Sequence, residues 1–122
     1  DSRVEIEGNH TLLYSIFRNL LDNTINYAGE NLSVVIDCYT EDNEFYYFSY
    51  YDTGTGIDEA FLNRIFDRFF RISEGRSRKT GGSGLGLSIV KNAVLFHKGQ
   101  ISAKNRKEGG LEFIFSLRKK LF

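Results

Sequence analysis

Near the start of the chain, Leu13, Ile16, Phe17, Leu20, Leu21 and Thr24 recur at helical spacing, which predicts a long amphipathic helix over residues 11–28 that stops at Gly29. The period then changes. Residues 32–39 and 44–51 are rich in β-branched and aromatic side chains around Glu41, Asp42 and Asn43, so they read as a hairpin. Phe61, Ile65, Phe66 and Phe69 resume a helical stripe, entered through Asp58 and Glu59, whose charge suits a helix N-terminus. A third helix is predicted over residues 85–96, and residues 100–105 and 111–117 flank the turn Arg106-Lys107-Glu108-Gly109-Gly110 as two more strands. Val4 and Ile6 alternate with charged residues, which predicts a short edge strand over residues 3–7. Strands that arrive in hairpins, with helices between them, favour an antiparallel or mixed sheet with helices on one face.

Length and charge narrow this picture. A chain of 122 residues supports one hydrophobic core, so residues 1–122 read as a single domain. Sixteen basic and 16 acidic residues cancel, so no net field draws the chain to nucleic acid or to an anionic membrane; the one local basic cluster is residues 71–79. Cys38 is the sole cysteine, reads as an inert strand residue and suits a reducing compartment. No apolar run approaches the roughly 20 residues of a membrane helix, and no secretion signal opens the chain, so the chain as given reads as soluble. The glycine-dense, charge-dense interruption over residues 73–86 looks like a mobile loop inside one domain.

Three groups of residues carry candidate chemistry. Asn19, Asn23, Asn26 and Tyr27 share one stripe of the first helix beside its apolar face. Polar residues at such a border are most often the wet edge of an amphipathic helix, but asparagine is a mediocre helix former, and an amide oxygen is a hard neutral ligand suited to a Mg²⁺ ion that shares phosphate oxygens. Asp52-Thr53-Gly54-Thr55-Gly56 follows a strand directly: the carboxylate could accept from an exocyclic amine, and the glycines would let the backbone approach a flat ring. In isolation that segment is more often an ordinary glycine-containing loop. Gly81-Gly82-Ser83-Gly84-Leu85-Gly86-Leu87-Ser88 runs into an apolar helix, where orphan N–H groups and the helix dipole favour an anion. It has neither a Walker lysine nor a dinucleotide-binding turn, so its phosphate loop is of another kind.

Taken in order, Asn19-Leu-Leu-Asp-Asn23-Thr-Ile-Asn-Tyr27, Asp52-Thr-Gly-Thr-Gly56, Ile65-Phe-Asp-Arg-Phe-Phe-Arg71 and Gly82-Ser-Gly-Leu-Gly-Leu-Ser-Ile-Val-Lys91 resemble the N, G1, F and G2 boxes of the sensor histidine kinase catalytic domain. The resemblance covers residues 4–117 and implies an α/β two-layer sandwich of the Bergerat type, its sheet mixed but mostly antiparallel. It implies that ATP and Mg²⁺ bind there, with Asn23 as metal ligand, Asn19 and Asn26 in the same polar row, Tyr27 beside the adenine and Asp52 on its amino group. Gly54, Gly56 and Ile57 would shape the adenine pocket, while Gly82, Gly84, Leu85 and Gly86 would close over the phosphates under a lid of residues 71–83. Arg68 and Arg71 are the candidates to meet phosphate charge, with Arg71 preferred; Phe66 and Phe69 would anchor the lid base and the face that docks on the phosphoacceptor domain.

By the same resemblance, the activity is transfer of the γ-phosphoryl to a histidine on a separate helical dimerisation domain of the full-length protein, with a response regulator downstream. The location implied is cytoplasmic, in a full-length protein that the inner membrane can anchor. His10 and His97 lack the flanking sequence of the family's acceptor and read as surface or capping residues. Three positions depart from the family pattern: Asn26 where a lysine commonly faces the phosphates, Glu112 where a threonine is usual, and Lys98 within a usual Gly-Gly pair. Two rival readings stay open at this point. One is another ATPase or serine kinase on the same fold, and the other is a non-catalytic module that binds ATP and signals by shape.

Overall fold

The computed structural model describes residues 4–70 and 85–121. Helix α1 spans His10–Tyr27 and begins where the Asn9 side chain accepts from the Leu12 N–H at 2.9 Å. It ends at Ala28, and Gly29 turns away at φ 108°, a left-handed conformation that glycine adopts without a Cβ penalty. Strands β1 (Val34–Glu41) and β2 (Phe45–Asp52) form the expected hairpin. Its turn is held by Asp42, whose carboxylate accepts from the Glu44 and Phe45 N–H groups and from the Tyr47 hydroxyl. Those three donors, the hydroxyl foremost, hold the Asp42 carboxyl below the usual carboxylate range. Helix α2 spans Gly86–Phe96, followed by β3 (Ile101–Asn105) and β4 (Leu111–Arg118).

The four strands lie in the order β1-β2-β4-β3, and all three pairings are antiparallel. The only parallel pairing among the described residues is a single bridge, Glu7 to Lys120. The edge strand expected over residues 3–7 therefore reduces to that bridge, with Arg3 outside the described residues. The bridge holds through the Glu7 N–H on the Lys119 carbonyl at 2.8 Å and the Leu121 N–H on the Glu7 carbonyl at 3.2 Å.

Alternation along β2 and β4 sends Phe48, Tyr50, Phe113, Phe115 and Leu117 to the helix-covered face, where Ile16, Leu20, Val90 and Val94 meet them. Phe48 stacks on Phe115 at 5.2 Å between ring centres, and Phe17 from α1 sets its edge on both. The hydroxyl of Tyr50 meets Thr24 Oγ1 at 2.8 Å and donates to the Leu20 carbonyl at 3.1 Å, which fastens α1 to the sheet centre.

The second helical stripe forms no α-helix. Glu59–Phe61 makes a 3-10 turn capped by Asp58, and the chain continues in i to i+3 turns through the Arg64, Asp67 and Phe70 N–H groups. The segment turns off at Phe69, which takes φ 67° and is 64% exposed. Ile65 and Phe66 still reach the core, since spacings of three to four residues place side chains together in this tighter winding as well.

Of the two readings of His97, surface or capping, the structure bears out the cap: it ends α2, and it is fully buried. Its Nε2 accepts from the Asn9 N–H at 3.0 Å, so the proton sits on Nδ1, which donates to the Ala93 carbonyl at 2.9 Å. Gly8 allows this approach, since a Cβ there would lie 2.4 Å from Nε2. Lys98, where a glycine was the usual residue, takes φ 66°.

Candidate functional site

The asparagine stripe of α1 runs beside the start of α2. Asn19 donates through Nδ2 to its own helix, at the Ser15 carbonyl, 2.8 Å. Its Oδ1 lies 3.2 Å from where a Cβ on Gly86 would stand, so Gly86 lets α2 begin against the stripe. Asn23, Asn26 and Tyr27 follow, all half-buried. Neither Asn23 nor Asn26 makes a side-chain hydrogen bond to another described residue. Leu85, half-buried, stands at the head of α2, where its carbonyl accepts from the Ser88 hydroxyl at 2.8 Å.

At its other end α1 meets the glycine loop after β2. A Cβ on Gly54 would stand 2.2 Å from the Ala28 carbonyl oxygen, so only glycine lets the loop pack on the helix end. Asp52, the last residue of β2, is 2% exposed. Its Oδ1 accepts from the Gly54 N–H at 2.9 Å and the Leu111 N–H at 3.3 Å, while Oδ2 bonds no other described residue. One helix thus spans both predicted loops: Asn19 at Gly86, Asn23 to Tyr27 between, and Ala28 at Gly54.

The hairpin of β3 and β4 supplies contacts that the sequence reading missed. The Asn105 side chain accepts from the Ile57 N–H at 2.9 Å and donates to the Ile57 carbonyl at 2.6 Å. Arg106 lies over the Tyr51 ring at 3.9 Å and donates to the Gly109 carbonyl at 2.8 Å and the Asp52 carbonyl at 3.5 Å. Gly110, at φ 100°, lies so close to Asp52 that a Cβ would be 1.9 Å from its carbonyl oxygen. The signal available in the sequence was an asparagine at a strand end ahead of a Gly-Gly turn, which reads equally as turn chemistry.

Ile57 is half-buried and packs against the core. Arg68 is exposed, with its guanidinium 5.3 Å from the Phe69 ring centre. Arg71, Gly82, Gly84 and the expected lid of residues 71–83 lie outside the described residues. Glu112 faces the side of the sheet away from the helices, accepting from the Ser49 hydroxyl at 2.5 Å and standing 3.8 Å from the Lys104 ammonium. It lines a shallow groove of about 570 Å³ there, with Val35, Asp37, Tyr51 and Ile114, remote from the residues of α1. No helix among the described residues is long and apolar enough to cross a membrane.

Comparison with known proteins fits this geometry. Residues 8–121 match the family described as histidine kinase-, DNA gyrase B-, and HSP90-like ATPase. The sensor histidine kinase WalK of Bacillus subtilis (strain 168) is 34% identical over 119 residues, covering 96% of this chain and 19% of that protein. The catalytic domain of histidine kinase ThkA, in a nucleotide-free form, superposes with a TM-score of 0.74 at 32% identity over 95% of this chain and 72% of that one. Full-length ShkA, solved in complex with AMPPNP, superposes with a TM-score of 0.72 at 26% identity over 93% of this chain and 25% of that one. The chain spans 19% to 27% of the length of the curated relatives it matches.

Proposed function

Since this chain belongs to the histidine kinase-, DNA gyrase B- and HSP90-like ATPase family, and within it to the sensor histidine kinase catalytic domains, we propose that it binds Mg-ATP along α1 and passes the γ-phosphoryl to a histidine elsewhere in its full-length protein. Asp52 carries the reading. A buried carboxylate whose Oδ1 is held by two backbone N–H groups keeps Oδ2 to accept the exocyclic amine of adenine. Guanine has a carbonyl at that place and would be repelled. Gly54, Gly56 and Ile57 would border the base, with Tyr27 beside it.

Asn23 is the metal ligand in this reading. Its half-buried amide makes no side-chain hydrogen bond to another described residue, and an amide oxygen is a hard neutral ligand that suits Mg²⁺. When bound, that ion offsets phosphate charge as the phosphoryl moves. Asn19, Asn26, Leu85 and Gly86 would border the phosphates, together with Gly82, Gly84 and Arg71 from outside the described residues.

The chain's own part is to hold and orient the nucleotide while the bond from the γ-phosphorus to the ADP oxygen breaks and a bond to an imidazole nitrogen forms. His97 is no acceptor, since it is buried with both ring nitrogens bonded. His10 opens α1, at the end remote from Gly54. As the family resemblance implies, the acceptor would come from a helical dimerisation domain of the same full-length protein, and a response regulator would receive the phosphoryl next, in the cytoplasm.

Radiolabelled ATP tests this, with the chain alone and with an added acceptor-helix fragment. We expect calorimetric Mg-ATP binding, no label on the lone chain, and slow acid-labile labelling of the fragment, slow because the linkage and its effective concentration are lost. Acid-labile label on His10 or His97 would overturn the reading. Binding without any transfer would favour a module that signals by shape, which Asn26 supports by placing a neutral amide where the family's lysine carries charge.

A further inference from the structure

We propose that Asn105, 48 residues from the loop it holds, is the positioning residue of the adenine loop and sets the preference for adenine over guanine; this rests on the reading of Asp52 as the base acceptor. The loop of residues 53–57 leaves the sheet after Thr53, whose N–H still reaches the Ser33 carbonyl at 3.0 Å. At Ile57 a single side chain, that of Asn105, stands in for a ladder partner. Its amide engages both the N–H and the carbonyl of Ile57, at 2.9 and 2.6 Å, the pattern a neighbouring strand would present.

The loop is thus bracketed. At one end the Gly54 N–H is tied to Asp52 Oδ1, and at the other Ile57 is tied to the end of β3. Between them Gly56 takes φ 71°, and a Cβ there would lie 2.6 Å from Asn105 Oδ1, so the amide and the glycine are fitted to each other. Both side-chain hydrogen bonds of Asn105 go to the backbone of Ile57, so it acts through the loop and not on the base. Without it, Ile57 loses two hydrogen bonds, and residues 54–57 can move relative to Asp52. The floor under the base then shifts while the carboxylate stays.

The test compares the wild-type chain with Asn105→Ala and Asn105→Asp, measuring ATP and GTP affinity by calorimetry and the fold by thermal melting. Two neutral hydrogen bonds lost from the loop predict about tenfold weaker ATP binding for Asn105→Ala, with GTP little changed, so that selectivity falls by a similar factor. Asn105→Asp has the same shape and keeps the acceptor for the Ile57 N–H, but sets a carboxylate against the Ile57 carbonyl. Its ATP affinity is expected to recover, relative to wild type, as pH falls and the acid regains a donor proton, a dependence that a purely structural role would not produce. Should the alanine variant not fold, the aspartate variant decides alone. Unchanged selectivity in a folded Asn105→Ala, or a pH-independent deficit in Asn105→Asp, overturns the proposal. A wild-type chain that binds ATP and GTP equally overturns the Asp52 reading beneath it, and the two failures are told apart by whether wild type discriminates.

Discussion

The loop packed on the end of α1 and the asparagine stripe leading to it have different kinds of surroundings. At the Gly54 end, Asp52, Asn105, Arg106 and Gly110 join the loop to the sheet by backbone hydrogen bonds and contacts that tolerate no Cβ. Along the last two turns of the helix itself, Asn23 and Asn26 have no side-chain bond to another described residue. In the proposed reading, the base end is ordered by the protein, whereas the residues for metal and phosphate are left for a ligand to order. A flat base is recognised by fixed shape, and phosphates are recognised by charge and metal, whose positions the ligand itself brings.

The strongest way to break this contrast is at Asp52. Replacing it by alanine orphans the Gly54 and Leu111 N–H groups, so both ATP affinity and stability are expected to fall, by about a hundredfold and about 2–3 kcal/mol respectively. Calorimetry beside urea unfolding reads both. Intact binding in Asp52→Ala would mean that the ordered end is not the base end.

Asn23→Ala should behave in the opposite way. We expect Mg²⁺-dependent ATP affinity to drop about tenfold, with stability unchanged or raised by a few tenths of a kcal/mol, because alanine is the better helix former and no described hydrogen bond is lost. A variant with undiminished magnesium dependence would remove Asn23 as the ligand.

The smallest effect probes the frame beneath both the loop and the stripe. Burial, the first cause, raises the Tyr50 hydroxyl above the usual tyrosine value, so the folded state favours the neutral phenol. That contribution is complete below about pH 10 and is lost as pH climbs through the raised folded value. Tyr50→Phe is expected to cost about 1 kcal/mol at neutral pH and to flatten the alkaline fall in melting temperature. A variant that keeps the wild-type alkaline slope would assign that fall to other groups.

Much of this was legible in the sequence, and the misses share a cause. The period of α1 came through because the helix buries one side of itself, which writes its geometry locally, and the hairpins of β1–β2 and β3–β4 came through their β-branched and aromatic runs on either side of a turn, although β1 is mostly exposed. Phe61, Ile65, Phe66 and Phe69 also kept a helical spacing, yet that spacing cannot separate an α-helix from successive i to i+3 turns. Asp52 and the glycines were found as a motif; Asn105 and Arg106, which hold them, were not, because their partners lie about fifty residues away in sequence. The cap at His97 was legible but its burial was not, since that depends on Gly8 and Asn9 at the far end of the chain.

The bridge between Glu7 and Lys120 has a consequence for architecture on a larger scale. Two positions 113 residues apart in the numbering sit side by side, held by the same pair of backbone hydrogen bonds. The domain is topologically close to a ring with one seam. A ring of this kind can be spliced into a longer polypeptide without stretching it, and can be cut open at another surface turn, such as the one Asp42 closes, with the old seam sewn shut by a short linker.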